Sequence, residues 1–305
     1  MSVSFLLQRP WLADVLLLAV ALVWGTSYGV TKSALAWYPV AGLLALRFGL
    51  SFLILAPGLW HRARGRWRAH ARAGLLTGGV LLAILCCETA GVGLTRAANA
   101  AFLINLCVVF TPFVEWLWLR RRPAPRVFVA AAVSLLGAWL LVSEVSLGVH
   151  LGDALILAAA LLRACQSCLI HRVITHHRVS TLAVTALQSG VVALGALLIA
   201  LILGGLPPLP AVASFWGQLG YLVVFCSLFA FFAQNQALAT RSPSRAALLM
   251  GCEPVFGALF AAWYLGEATG LGTWLGGALL VGASLCLSLP IPLRRRAVGA
   301  CDQPA

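Results

Sequence analysis

Residues 94–119 read LTRAANAAFLINLCVVFTPFVEWLWL, and residues 239–265 read ATRSPSRAALLMGCEPVFGALFAAWYL. Each stretch opens on Thr-Arg, passes through small polar residues and an Ala-Ala pair, turns apolar, meets a proline (Pro112, Pro254) and ends on aromatic residues. Bringing the prolines into register takes one short gap. Each apolar part has roughly the 20 residues that a helix needs to cross a hydrocarbon core of ~30 Å. Two related crossing segments this far apart in one chain imply an internal repeat.

Working outward, ten apolar runs punctuate the chain, at about 12–32, 38–59, 73–93, 97–119, 126–143, 152–172, 180–203, 214–238, 245–265 and 270–290. The repeated segments fall fourth and ninth, so the chain divides after residue 150 into residues 1–150 (helices 1–5) and 151–305 (helices 6–10 and a short cytoplasmic tail). Five crossings per half is an odd number, so the second half enters the membrane upside down relative to the first. Inverted repeats of this kind recur in transporters, with the substrate site between them near the midplane. The expected fold is therefore an all-α polytopic membrane protein, with ten transmembrane helices in two inverted five-helix repeats.

Composition agrees. Of 305 residues 62% are hydrophobic and 10% charged, with a mean hydropathy of +0.98. Soluble domains average ~45–50% apolar and ~25% charged residues, which excludes a water-soluble globular enzyme. The run at 12–32 includes Asp14 and Trp24 and has no small-residue cleavage site before Lys32, so it reads as a retained helix rather than a signal peptide.

A net charge of +13 would fit a nucleic-acid binder. The placement of the cations excludes that reading. Counted by alternate loops, 17 of the 21 Lys and Arg fall on one side, in clusters such as 62–72, 120–126 and 294–296, while Lys32 and Arg96 fall on the other and Arg47 and Arg163 lie within helices. By the positive-inside rule both termini are cytoplasmic, in a bacterial cytoplasmic membrane. Eight of the nine cysteines sit in apolar runs, where cysteine acts as a small hydrophobe.

Five segments carry a family resemblance. Val23-Trp24-Gly25-Thr26-Ser27-Tyr28 running to Lys32, Leu46-Arg47-Phe48, Ala98-Asn99-Ala100-Ala101-Phe102, Glu253-Pro254-Val255-Phe256 and Leu265-Gly266-Glu267 together resemble the EamA family of the drug/metabolite transporter superfamily, across essentially the whole chain. The resemblance implies two inverted five-helix repeats, alternating access, and export of small metabolites, often amino acids or related compounds, by secondary transport. It also makes Arg47 an expected residue, more structural than functional. Two positions depart from it: Glu88 stands where glutamine is more usual, and Arg163 where many relatives have an aromatic residue.

The polar groups inside the membrane are where function is sought, because a carboxylate in hydrocarbon must be paired, protonated or in water. Glu88, Glu115 and Glu253 are the acids within the runs, and Arg47 and Arg163 the bases. Three acids against two bases leave one carboxylate whose pKa desolvation raises, a proton carrier. Counting residues along each helix puts Glu253 and Arg163 near the midplane, where they can meet as gate or substrate pair. Glu88 is expected to pair with Arg96 or Lys32 at the rim or to serve a particular substrate or coupling ion, and Glu115 to pair with an arginine of the neighbouring loop. Arg163 stands at the place in the second half that Trp24 holds in the first. Pro112 and Pro254 are expected to kink their helices.

Asn99, Asn105, Gln166 and Asn235 are candidates to line or orient within a cavity, with Trp24 as wall and Tyr28 a weaker second; each can equally be interhelical glue. Gly25/Gly29, Gly74/Gly78 and Gly272/Gly276 permit close helix approach, including at a homodimer face. No metal and no cofactor is expected: Cys165 and Cys168 share a helical face, but no histidine lies at their depth. The partners expected are a small-molecule substrate, the lipid bilayer and a coupling proton. HExxH, GxSxG and P-loop patterns are absent from the sequence, which argues against an intramembrane protease, a hydrolase or an ATP-driven pump. Import instead of export, a membrane-embedded lipid-modifying enzyme and a channel are the alternative readings.

Overall fold

The computed structural model describes residues 10–62, 67–95, 97–141, 151–177, 179–264 and 270–288. The helices in chain order are α1 Pro10–Leu35, α2 Val40–Arg62, α3 Trp67–Leu94, α4 Ala97–Asn105, α5 Cys107–Leu119, α6 Pro125–Leu141, α7 Leu151–His177, α8 Thr181–Ile202, α9 Ala213–Tyr221, α10 Ala230–Leu238, α11 Pro243–Met250, α12 Glu253–Tyr264 and α13 Leu271–Ser288. A π-helical turn, Leu222–Phe229, joins α9 to α10 without a break. Among the described residues every regular element is helical, as lipid demands of a chain that must satisfy its backbone within each segment.

Among the described residues seven helical spans are long and apolar enough to cross a membrane, two of them running across the α4–α5 and α9–α10 junctions, and Pro125–Leu140 and Leu271–Leu285 form two shorter apolar helices. Helix ends follow local chemistry. Pro125 and Pro243 stand at first helical positions, where a missing N–H costs nothing. Ser242 caps α11 by accepting from the Arg245 N–H, and α8 stops where Gly204 and Gly205 take positive φ, a conformation glycine adopts without strain.

The expected kinks become breaks, and the first lies ahead of its proline. Around Leu106 the hydrogen bonds tighten to i−3 spacing, Leu106 N–H to Leu103 O at 3.1 Å and Val109 N–H to Leu106 O at 2.9 Å, while Pro112 sits inside α5. The second break shows the same pattern, with Val255 N–H to Cys252 O at 3.0 Å, and there Pro254 is the second residue of α12. Proline's ring forbids the helical bond one turn earlier, so either geometry relieves it.

The bundle is apolar outside and polar within. Leu53, Leu75, Leu117 and Ile202 are exposed, whereas Arg47, Asn105, Gln188, Gln234, Asn235, Gln236 and Glu253 are buried. A soluble domain has the reverse arrangement. Helices α1, α2, α3, α8, α9 and α10 share the largest apolar cluster, centred on Val20, Leu44, Phe48, Leu81, Val192 and Phe215. The glycine pairs expected at a dimer face are used largely inside the chain: Gly74 and Gly78 press on Leu187 and Val191 of α8, and Gly272 lies against the Leu140 carbonyl of α6.

Candidate functional site

Four side chains from four helices converge inside the bundle: Trp24 of α1, Glu88 of α3, Arg163 of α7 and Glu253, the first residue of α12. Nη2 of Arg163 donates to both carboxylate oxygens of Glu88, at 3.0 and 3.1 Å, and its Nη1 lies 3.6 Å from Oε2 of Glu253. The guanidinium also sits over the Trp24 ring, 5.3 Å from its centroid, a cation–π contact that strengthens as water is excluded. One cation therefore holds two carboxylates and an aromatic face.

Local sequence explains why each group is there. Glu253 opens α12, where unsatisfied N–H groups and the helix dipole favour a carboxylate, and Pro254 behind it loses nothing in the first turn. Gly25 lets α1 lie directly on α12: a Cβ there would be 2.5 Å from the Glu253 carbonyl oxygen and 3.0 Å from the Gly257 nitrogen. That contact sets Trp24 beside Glu253.

Behind Trp24 lies a layer that sequence reasoning missed. Its indole N–H donates to the Cys226 carbonyl at 3.2 Å, and Phe231 packs on the ring at 5.3 Å. Arg47 donates through Nε to Ser227 Oγ at 2.7 Å and is close enough to Glu88 to interact electrostatically. Cys226 and Ser227 both belong to the π-helical turn, whose i→i+5 bonding frees groups an α-helix would use internally. Tyr221, just before it, shares a 2.7 Å hydrogen bond with Thr26 of α1. Nothing in the apolar stretch 222–229 announces a π-turn; the glycines Gly217 and Gly220 ahead of it are the nearest available hint.

Other expectations are revised. Glu88 pairs with Arg163, because α3 packs along α7, while the side chains of its expected partners Arg96 and Lys32 lie outside the described residues. Glu115 accepts from both the backbone N–H and the hydroxyl of Ser244 at the start of α11, not from a loop arginine. Gln166 donates to the Thr77 carbonyl of α3, at 2.9 Å, and Asn235 donates to Thr185 and Gln188 of α8, both at 2.9 Å. Both act as interhelical ties. Asn105 is buried at the end of α4, beside the break. The side chains of Tyr28, Lys32 and Asn99 lie outside the described residues. His70, in the first turn of α3, and His171, well inside α7, are both buried, and His171 Nδ1 is bonded to the Leu238 carbonyl at 2.8 Å.

A tie and a ligand respond differently to deletion. Asn235→Ala is expected to lower stability by ~0.6 kcal/mol, and by no more than ~2, which thermal unfolding in detergent measures, while solute flux is unchanged.

Comparison with known proteins fits this arrangement. The family described as the EamA-like transporter family matches residues 11–143 and again residues 150–289. Two uncharacterized transporters of Archaeoglobus fulgidus are similar to the chain. One is 27% identical over 278 residues, covering 88% of this chain and 94% of the relative; the other is 27% identical over 288 residues, covering 92% and 86%. A solved crystal structure shares the fold with a TM-score of 0.76 at 20% identity, over 90% of this chain and 96% of that one.

Proposed function

Since this chain belongs to the EamA-like transporter family, we propose that it is a secondary transporter that exports a small polar or amphipathic metabolite by alternating access, with proton coupling. Ten crossings follow if α4 with α5, α9 with α10, and α11 with α12 each count once. The two family matches, falling on either side of residues 144–149, support a division into residues 1–150 and 151–305. The loop charges favour both termini in the cytoplasm of a bacterial cell.

The observation that carries this reading is Arg163 held between Glu88 and Glu253 over Trp24. Trp24 and Glu88 come from the first half, Arg163 and Glu253 from the second, so any rocking of one half against the other strains the contacts of Arg163 with Glu88 and Trp24, while its contact with Glu253 stays within the second half. A substrate carboxylate competes for the guanidinium, and a substrate ammonium competes for the carboxylates. Either lowers the cost of parting the halves, which links binding to movement. An amino acid or related compound offers both groups. When Arg163 leaves one carboxylate, that group faces a low-dielectric site and takes up a proton.

Screening amino acids, amines and carboxylic acids by thermal shift on the purified protein identifies the ligand, because a compound at ~100 times its Kd adds about 2.7 kcal/mol of stability. Its flux into proteoliposomes is then measured with and without a pH gradient. Glu253→Gln is expected to abolish the response to the gradient. Unchanged rate and unchanged pH dependence in that variant would overturn the coupling role.

A further inference from the structure

A cavity of about 260 Å³ lies between the end of α5, the start of α6 and the start of α11, at the end of the bundle that the loop charges assign to the cytoplasm. Its walls carry charge of both signs. Glu115 of α5, Arg126 of α6 and Arg245 of α11 line it, with the hydroxyl residues Ser242 and Ser244. Because α5 and α6 belong to the first half and α11 to the second, the cavity straddles the seam that the Arg163 cluster also spans.

Its charges are incompletely matched. Glu115 is 5% exposed and takes both of its hydrogen bonds, from the N–H and the hydroxyl of Ser244, on Oε2. Its Oε1 accepts none from the described residues. Arg126 is exposed and, among the described residues, has no carboxylate partner. Arg245 is held by Asp14, which it shares with Arg241. A buried carboxylate oxygen and an exposed guanidinium thus face one small space, and no ion pair joins them. A ligand that satisfies both carries an anion and a cation a few bonds apart. It must also be compact, since pockets for small molecules run from ~300 Å³ upward.

Helix α5 links this cavity to the central cluster. Cys107, its first residue, is near enough to Arg163, Glu253 and Glu88 to interact electrostatically. Glu115 follows a little over two turns later, ~12 Å along the axis.

We propose that the cavity is a cytoplasmic capture site for an amino acid, its carboxylate held between Arg126 and Arg245 and its ammonium at Oε1 of Glu115, from which the solute passes to the Arg163 cluster. Resting on the transport reading above, it is a second site of the same chemistry on the same seam. Two guanidiniums suit a carboxylate, which accepts two parallel bonds from each. A carboxylate that draws on Arg245 competes with Asp14, so arrival of the solute loosens one tie between α1 and α11.

The test measures retention of a mixture of the standard amino acids by the full-length protein in nanodiscs of phosphatidylglycerol, using equilibrium dialysis and mass spectrometry. Arg163→Ala with Glu88→Gln removes the central site and is expected still to retain an amino acid. Adding Arg126→Gln, an exposed change that breaks no described contact, is expected to weaken that retention at least about tenfold, and Arg126→Lys to preserve part of it. Glu115→Gln is expected to remove the preference for the amino acid over the same acid without its amine. A merely structural contact would not move that selectivity. In proteoliposomes, Arg126→Gln alone is expected to raise KM for solute presented at the cytoplasmic face at least about tenfold, and far more than it lowers kcat. If the double variant does not fold, this KM decides.

Loss of all retention in the double variant with an unchanged KM in Arg126→Gln, in a protein that still transports, overturns the capture site and leaves the transport reading intact. Phosphatidylethanolamine, whose headgroup carries the same two charges, supplies the other arm: its displacing the amino acid from the double variant overturns the capture role. Retention that depends on Arg126 in a protein that moves no amino acid supports the site and overturns the transport reading.

Discussion

Replacing Arg163 by alanine is expected to lower stability by about 3 kcal/mol and to abolish transport. Removing one partner of a buried ion pair costs ~3–5 kcal/mol because the remaining charge is left in a low-dielectric site. Here two carboxylates lose the same cation. The Arg163 side chain retains 22% exposure, which places the figure at the lower end. The penalty is a charge penalty, so neutralising either acid in the same background, as Arg163→Ala with Glu88→Gln or with Glu253→Gln, is expected to recover at least ~1 kcal/mol of it. A loss due to packing alone would not be recovered. Lysine is a poor substitute, since a single ammonium cannot reach two carboxylates while lying flat on an indole ring; Arg163→Lys is expected to restore part of the stability and little of the flux. Thermal unfolding and proteoliposome flux, measured on the same preparations, separate the two effects.

That cluster was partly legible in the sequence. Charges in lipid are few, so counting acids and bases within the apolar runs isolates Arg163 and Glu253, and residue counting from the loops brings them to one depth. The partner of Glu88 was not legible. It depends on which helix α3 lies against, and that is decided by contacts such as Gly91 on Ile156 of α7, which no property of Glu88 encodes.

The uncharged groups show the limit more sharply. Asparagine and glutamine within a span can face a cavity or a neighbouring helix at the same position in sequence. Gln166 and Asn235 turn to neighbours because the Thr77 carbonyl and the Thr185 hydroxyl lie within reach. Glu115 had a readable signal that went unused: Ser242-Pro243 marks the start of a helix, where free N–H groups attract a carboxylate. Helix breaks were legible as events but not as positions, since the break falls either just before a proline in a first turn, as with Pro254, or at a turn further ahead that tightens to i−3 bonds, as at Leu106. The π-turn, which packs against α1 and α2, had no pattern within 222–229 to read.

The second large effect comes from a position with no side chain. In Gly25→Ala the new Cβ would sit 2.5 Å from the Glu253 carbonyl oxygen, 3.0 Å from the Gly257 nitrogen and 3.1 Å from Phe256 Cβ. Two of these three neighbours are backbone atoms, which cannot rotate away, so α1 and α12 must separate by about 1 Å to restore van der Waals contact. Overpacking of this kind costs ~1–3 kcal/mol. The functional cost is expected to be larger than the loss of stability. Glu253 opens α12 and Trp24 neighbours Gly25, so the same shift carries the carboxylate away from an Arg163 contact that is already 3.6 Å, and tilts the ring beneath the guanidinium. Gly29, one turn further along α1, supplies the control: no described atom lies within 4 Å of a Cβ built there. Gly29→Ala is expected to be neutral or to stabilise by up to ~1 kcal/mol, the helix-propensity difference between the two residues, and to transport normally. Two identical chemical changes on one helix should therefore differ in sign for stability and by at least about tenfold in flux, the factor that ~1.4 kcal/mol of lost coupling in the Arg163 cluster would give. Equal behaviour of the two variants would mean that the approach of α1 to α12 does not hold the cluster together.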